Sequence, residues 1–137
     1  MQRYTFDACA PIAFFRNEEG AEKVKELLLE AANLKCRIFI HHASVAELYY
    51  DTINVSSRSE ADLMLETIRI FPIDFVSIIS IDLIKEMGYF KTTYKISFAD
   101  SFVLATARLN NASVVTSDHH EFDIIESKGD ALFTWIR

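Results

Sequence analysis

Glycine is scarce in this chain, with three among 137 residues, and proline is scarcer still at two. Loop-rich all-β folds need many turn residues, so the shortage argues for long regular elements. Gly20, Gly88 and Gly129 stand apart from one another, which leaves no glycine-rich phosphate loop and no dinucleotide fingerprint. Neither HExxH nor GxSxG occurs, so zincin and serine-hydrolase chemistry have no motif to rest on. The two cysteines, Cys9 and Cys36, form neither a CxxC pair nor a disulfide framework. No apolar run approaches about 18 residues and no leader precedes the first strand; a reducing cytoplasm without membrane contact is expected. Positive charge is short as well. A formal net charge of −6 argues against holding nucleic acid by bulk attraction, although acidic chains act on phosphodiesters when their carboxylates hold cations.

What the chain has in plenty is apolar and aromatic side chains. Half of its residues are hydrophobic, with eleven Phe and five Tyr, enough to bury the core of one domain spanning residues 1–137. Strands are expected at "RYTF" (3–6), "RIFI" (37–40), "FVSII" (75–79), "SVVT" (113–116) and "ALFTWI" (131–136). Between them fall a short helix at 10–15 and a long amphipathic helix capped by Asn17, with Ala21, Val24, Leu27, Leu28 and Ala31 on one face. Further helices are expected in "SVAELYYDTI", "SSRSEADLMLETIRIF", residues 82–87 and "SFADSFVLATARLNN", with a loop at 88–96 and a turn of helix at 120–127. Apolar strands alternating with helices predict a three-layer α/β/α sandwich around a mainly parallel sheet.

In such a sheet the strand C-termini share one rim, where ligands bind. Asp7 follows the first strand, Glu47 opens the helix after the second, and Asp118 follows the fourth. Asp100, in the first turn of the helix before that strand, joins them if the connection returns to the same rim. Capping alone could explain each acid: Ser44–Glu47 and Ser97–Asp100 both read as S-x-x-acid boxes. Together, converging carboxylates would repel unless a cation lay among them, and hard oxygen donors suit Mg²⁺ or Mn²⁺. Phosphodiester hydrolysis fits an acid-only cluster without a covalent nucleophile.

The segments "YTFDACAPIAFF", "SVAELYYD" and "SFADSFVLATARLNNASVVTSDHHEF" resemble, across essentially the whole chain, the PIN domain used by VapC-type toxins of toxin–antitoxin pairs. The resemblance implies a PIN-like α/β fold and a metal-dependent endoribonuclease. Asp7, Glu47, Asp100 and Asp118 would be its catalytic metal ligands and Glu121 an outer ligand. Thr116 would be a supporting hydroxyl. It also implies an RNA substrate, an antitoxin protein as partner and a homodimer. Where the family frequently has Thr or Ser after the first Asp, this chain has Ala8 and Cys9, which removes one hydroxyl and leaves a thiol. A phosphatase-like reading would need Asp at position 9 and fails. The competing reading is a catalytically weak or inactive PIN-fold module that binds RNA or a protein.

Ser117 and His119 flank Asp118 and are expected to support the site, His119 in a second shell or facing substrate. The His41–His42 and His119–His120 pairs lack the helical spacing of a zinc site. Arg16, Lys91 and Lys95 are candidates for RNA phosphates. "GYFKTTYKI" interleaves aromatics with lysines as a stacking surface would, though core packing explains its aromatics equally. Cys9 and Cys36 read as inert buried thiols, and Trp135 as a core residue.

Overall fold

In the computed structural model, which describes residues 1–137, the chain opens with β1 (Gln2–Phe6), α1 (Cys9–Arg16) and α2 (Ala21–Ala32). β2 (Cys36–His41), α3 (His42–Val55) and α4 (Arg58–Ile68) follow, then β3 (Asp74–Val76), α5 (Ile81–Thr93) and α6 (Phe98–Leu109). β4 (Ser113–Thr116), α7 (His119–Ser127) and β5 (Phe133–Trp135) complete it. The strands lie in the order β3-β2-β1-β4-β5, and every neighbouring pair is parallel. β4 is buried along its whole length, as a strand must be when helices cover both faces. Its alternate residues feed two cores. Val115 packs with Phe6, Ile38, Ile40 and the α2 residues Val24 and Leu27. Val114 packs with Phe90 of α5, Val103 and Leu104 of α6, and Phe122 of α7. The architecture is the expected α/β/α sandwich. No helix is long and apolar enough to cross a membrane.

Local structure departs from the sequence reading in several places; β3, for one, ends at Val76 rather than at 79. Asn17 does not cap α2; it closes α1 with φ 50°, a left-handed turn that Asn tolerates. The chain enters α2 through Gly20 at φ 99°, where an added Cβ would stand 2.8 Å from the carbonyl oxygen of Ile136. Only glycine fits both conditions. Ser44 and Glu47 form no capping box, because α3 begins two residues earlier. His41 is its cap, with Nδ1 accepting from the Ala43 amide (3.0 Å) and Nε2 donating to the Ile78 carbonyl (3.3 Å).

Most of the expected loop at 88–96 is instead helix, because α5 runs on to Thr93, leaving 94–96 outside it. Met87 and Phe90 are buried, so packing holds the helix through Gly88 against that residue's poor propensity. Within this stretch Phe90 and Tyr94 belong to the core, while the Tyr89 hydroxyl donates to Asp130 (2.7 Å). The turn of helix expected at 120–127 is the nine-residue helix α7, which Asp118 caps by accepting from the Glu121 amide (3.2 Å).

Candidate active site

Because all five strands run the same way, the residues that follow their C-termini meet on one rim. β1 delivers Asp7 there and β4 delivers Asp118; α3 leaves β2 carrying Glu47 in its second turn, and α6 presents Asp100 in its first. These four carboxylates line one open cleft of about 420 Å³, together with Cys9 and Arg137. Tyr50, Asp51 and Ser117 also face it.

Asp7 is fixed from three directions. Oδ1 accepts from the Ala8 amide (2.8 Å), and Oδ2 accepts from the Thr116 hydroxyl (2.9 Å) and from the Cys9 thiol (3.2 Å). Thr116 in turn accepts from the Asp118 amide (3.0 Å), and Cys9 Sγ accepts from the Ser117 amide (3.3 Å). Each side chain thus spends its one proton on Asp7 and uses its lone pairs to hold the β4–α7 loop. The hydroxyl missing after Asp7 costs no bond, since the thiol supplies it. Cys9 is therefore not the inert thiol that its surroundings in the sequence imply. Burial and the nearby Asp7 charge push its pKa up to about 12, so it donates as a neutral thiol.

The cleft is under electrostatic strain. Burial first, and then Asp7, Asp118 and Glu47, push Asp100 up to about 7. Burial and the charges of Asp7, Asp51 and Asp118 raise Glu47. Asp7 is raised by burial and by Asp118, against the lowering effect of its three donors. None of the four acids is in an ion pair. Uncompensated oxygen donors of this kind fit a hard divalent cation. No three His, Cys, Asp or Glu side chains form a finished metal cage.

Other expected residues lie elsewhere. Glu121 contributes its amide to Asp118 rather than lining the cleft. His119 does not line the acidic cleft. It stacks on Trp135 (centroids 3.8 Å apart, planes at 12°), with Nδ1 2.8 Å from Asp123 and Nε2 donating to the Arg137 carbonyl (2.9 Å). The Asp123 bond and then that carbonyl raise its pKa. Trp135 is only partly buried and donates to Glu126 (3.0 Å). Arg16 is paired with Asp51 at 2.7 Å. Lys91 donates to the Ile96 carbonyl (2.6 Å), and neither it nor Lys95 lines the cleft. Asp51 and Arg137 were not singled out by sequence, and Tyr50 was read only as a packing or interface residue. Arg137 follows β5, whose parallel orientation is the one signal that could have placed it on this rim.

The chain is similar to known proteins over almost its full length. Its sequence matches the PIN domain family over residues 4–127. Among curated proteins nothing matches it. Solved structures share the fold at low identity. A chain of VapBC2 from Rickettsia felis, solved bound to a DNA fragment from the promoter, aligns with TM-score 0.76, 18% identity and 98% of each chain covered. A toxin–antitoxin complex from Klebsiella pneumoniae gives 0.64 and 18%, covering 87% of this chain and 89% of that one. VapC20 of Mycobacterium tuberculosis, a toxin that cleaves the sarcin–ricin loop, gives 0.68 and 12%, covering 96% and 98%. With the α/β/α sheet, the rim of acids and a family match spanning nearly every element, the chain belongs to the PIN domain family.

Proposed function

We propose that the protein is a divalent-metal-dependent endoribonuclease and the toxin of a toxin–antitoxin pair. One observation carries this reading: four carboxylates from four separate segments line a single cleft, and no basic side chain pairs with any of them. Asp7, Glu47, Asp100 and Asp118 would hold Mg²⁺ or Mn²⁺, which would polarise an attacking water and offset charge building at phosphorus. Thr116 and Cys9 keep Asp7 oriented, and their links to the Ser117 and Asp118 amides keep both walls in register. In the metal-free chain Asp100 keeps its proton up to about pH 7, so cation uptake there is coupled to proton release.

RNA as substrate is supported by the ribosomal target of the M. tuberculosis relative, and an antitoxin partner by the K. pneumoniae complex. A homodimer is supported by the chain itself. Ile78, Ile79, Ile81 and Ile84, close in sequence, and Phe98 at the start of α6, which packs on α5, are each more than half exposed, and clustered exposed apolar side chains mark interaction surfaces.

Cleavage of a mixed RNA pool with Mg²⁺, with Mn²⁺ and with EDTA, beside Asp100→Asn, tests the reading. Cutting that needs the ion and disappears in the variant is expected. A folded, ion-loaded protein that cuts nothing would overturn it in favour of a non-catalytic binding module.

A further inference from the structure

RNA brought to this rim meets a difficulty that the acids cannot resolve. A bound divalent ion offsets charge at the reacting phosphate, but the next phosphate along the strand still faces carboxylates. A cation is needed beside them. Arg16 is committed to Asp51 at 2.7 Å, and Lys91 to the Ile96 carbonyl at 2.6 Å. Arg137 lines the cleft, is exposed and makes no ion pair.

Its carbonyl and the residue before it are held in place. The Ile136 amide donates to the Thr116 carbonyl (3.1 Å), extending the β4–β5 ladder past Trp135. His119 clasps the Arg137 carbonyl while stacking flat on Trp135. Asp123 fixes the far side of that imidazole at 2.8 Å. Behind Ile136, Gly20 leaves room for its carbonyl and side chain where any Cβ would collide. A surface arginine held only for solubility has no need of such a mount.

We infer that Arg137 is a substrate-binding residue, its guanidinium taking a backbone phosphate of the RNA beside the acidic cleft. His119 and Trp135 are positioning residues that hold it there. A guanidinium suits this task because its planar fork of donors matches two phosphate oxygens at once and stays charged at any working pH. The inference rests on the nuclease reading for its substrate class, but not on the chemistry of the acids.

The test compares wild type, Arg137→Gln, Arg137→Lys and His119→Ala. A fluorescein-labelled single-stranded RNA of mixed sequence is titrated in Ca²⁺ across a salt series, and kcat and KM are measured separately in Mn²⁺. Arg137→Gln is expected to weaken binding about five- to tenfold and to raise KM with kcat nearly unchanged. It should also flatten the salt dependence of log K by about 0.7, the value of one phosphate contact on a single strand. Arg137→Lys should recover the salt slope and part of the affinity, and His119→Ala should weaken binding with Arg137 still present. If Arg137→Gln binds with wild-type affinity and slope, or the wild type binds no RNA, the inference is overturned. Cleavage abolished by Asp100→Asn, with KM unmoved in Arg137→Gln, would sink the inference alone. RNA binding that depends on Arg137, in a protein that cuts nothing, would instead remove the nuclease reading and leave the arginine.

Discussion

Cys9 sits where a hydroxyl would do similar work, and its environment shows why a thiol suffices. Sγ lies 3.2 Å from both Asp7 Oδ2 and Thr116 Oγ1 and accepts from the Ser117 amide. Serine can repeat the donation and the acceptance; valine can do neither. Cys9→Ser is therefore expected to keep wild-type Mn²⁺ affinity. Cys9→Val should bind Mn²⁺ about tenfold more weakly, the usual effect of losing a partner that orients a metal ligand. It should also lose about 1–2 kcal/mol of stability by leaving a buried carboxylate oxygen and an amide short of partners. Calorimetric Mn²⁺ titration and urea unfolding read the two effects. Equal Mn²⁺ affinity in Cys9→Val and wild type would show that the thiol merely fills space. Asp7 itself is legible in sequence because it ends an apolar strand. Thr116 and Ser117 were expected to support the site, but the link through Cys9 was not legible, because the Ser117 amide that its sulfur accepts from lies 108 positions away.

Among the elements, α5 and α2 show glycine acting in opposite senses. Gly88 lies inside α5 with nothing within 4 Å of an added Cβ, so Gly88→Ala should stabilise the fold by about 0.5–1 kcal/mol through helix propensity alone. Gly20→Ala should destabilise it, since both φ and the Ile136 carbonyl forbid a side chain. Urea midpoints moving in opposite directions are the expected result, and a loss of stability in Gly88→Ala would contradict the open surroundings of α5. The same glycine explains why sequence broke this helix too early. Local propensity stops at Gly88, whereas the burial of Phe90 that carries the helix onward depends on α6. Strands were easier to read, because a parallel strand buried on both faces is apolar throughout; "SVVT" coincides with β4 at both ends. Ser44–Glu47 misled for a related reason. Its spacing satisfies a capping pattern, but His41 had already supplied the cap from the end of β2.

At the scale of the molecule, a cleft of raised acids makes stability depend on pH and, under the proposed metal site, on cations. Asp100 titrates at about 7 when folded against 3.8 as a free group, and Glu47 and Asp7 move the same way. Between those limits the folded chain binds protons more tightly than the unfolded one, so these groups cost stability as pH rises through the window. His41 acts oppositely: burial lowers its pKa from 6.5, and its share of stability is lost as pH falls below that value. A comparison of two proteins that both keep His41 cancels its effect. Metal-free Asp100→Asn is therefore expected to melt about 4 °C above wild type at pH 8, the shift that ~1 kcal/mol gives a domain of this size. That advantage should shrink by pH 5, and Mn²⁺ should raise wild type more than the variant. Scanning calorimetry checks all three, and a variant that melts lower at pH 8 would show that Asp100 supports the fold rather than straining it. The strand order has a consequence in time as well. The bond that orients Asp7 joins it to Thr116 across 109 positions, and β1 lies between β2 and the late-made β4. On a ribosome adding about 5–20 residues per second, Asp7 emerges roughly 5–20 s before its partner does. Throughout that interval the nascent chain has neither the wall bearing Asp118 nor the hydroxyl that aims Asp7. The acidic cleft is therefore completed late in synthesis, and under the proposed nuclease reading the messenger and ribosome producing the chain stay uncut until then.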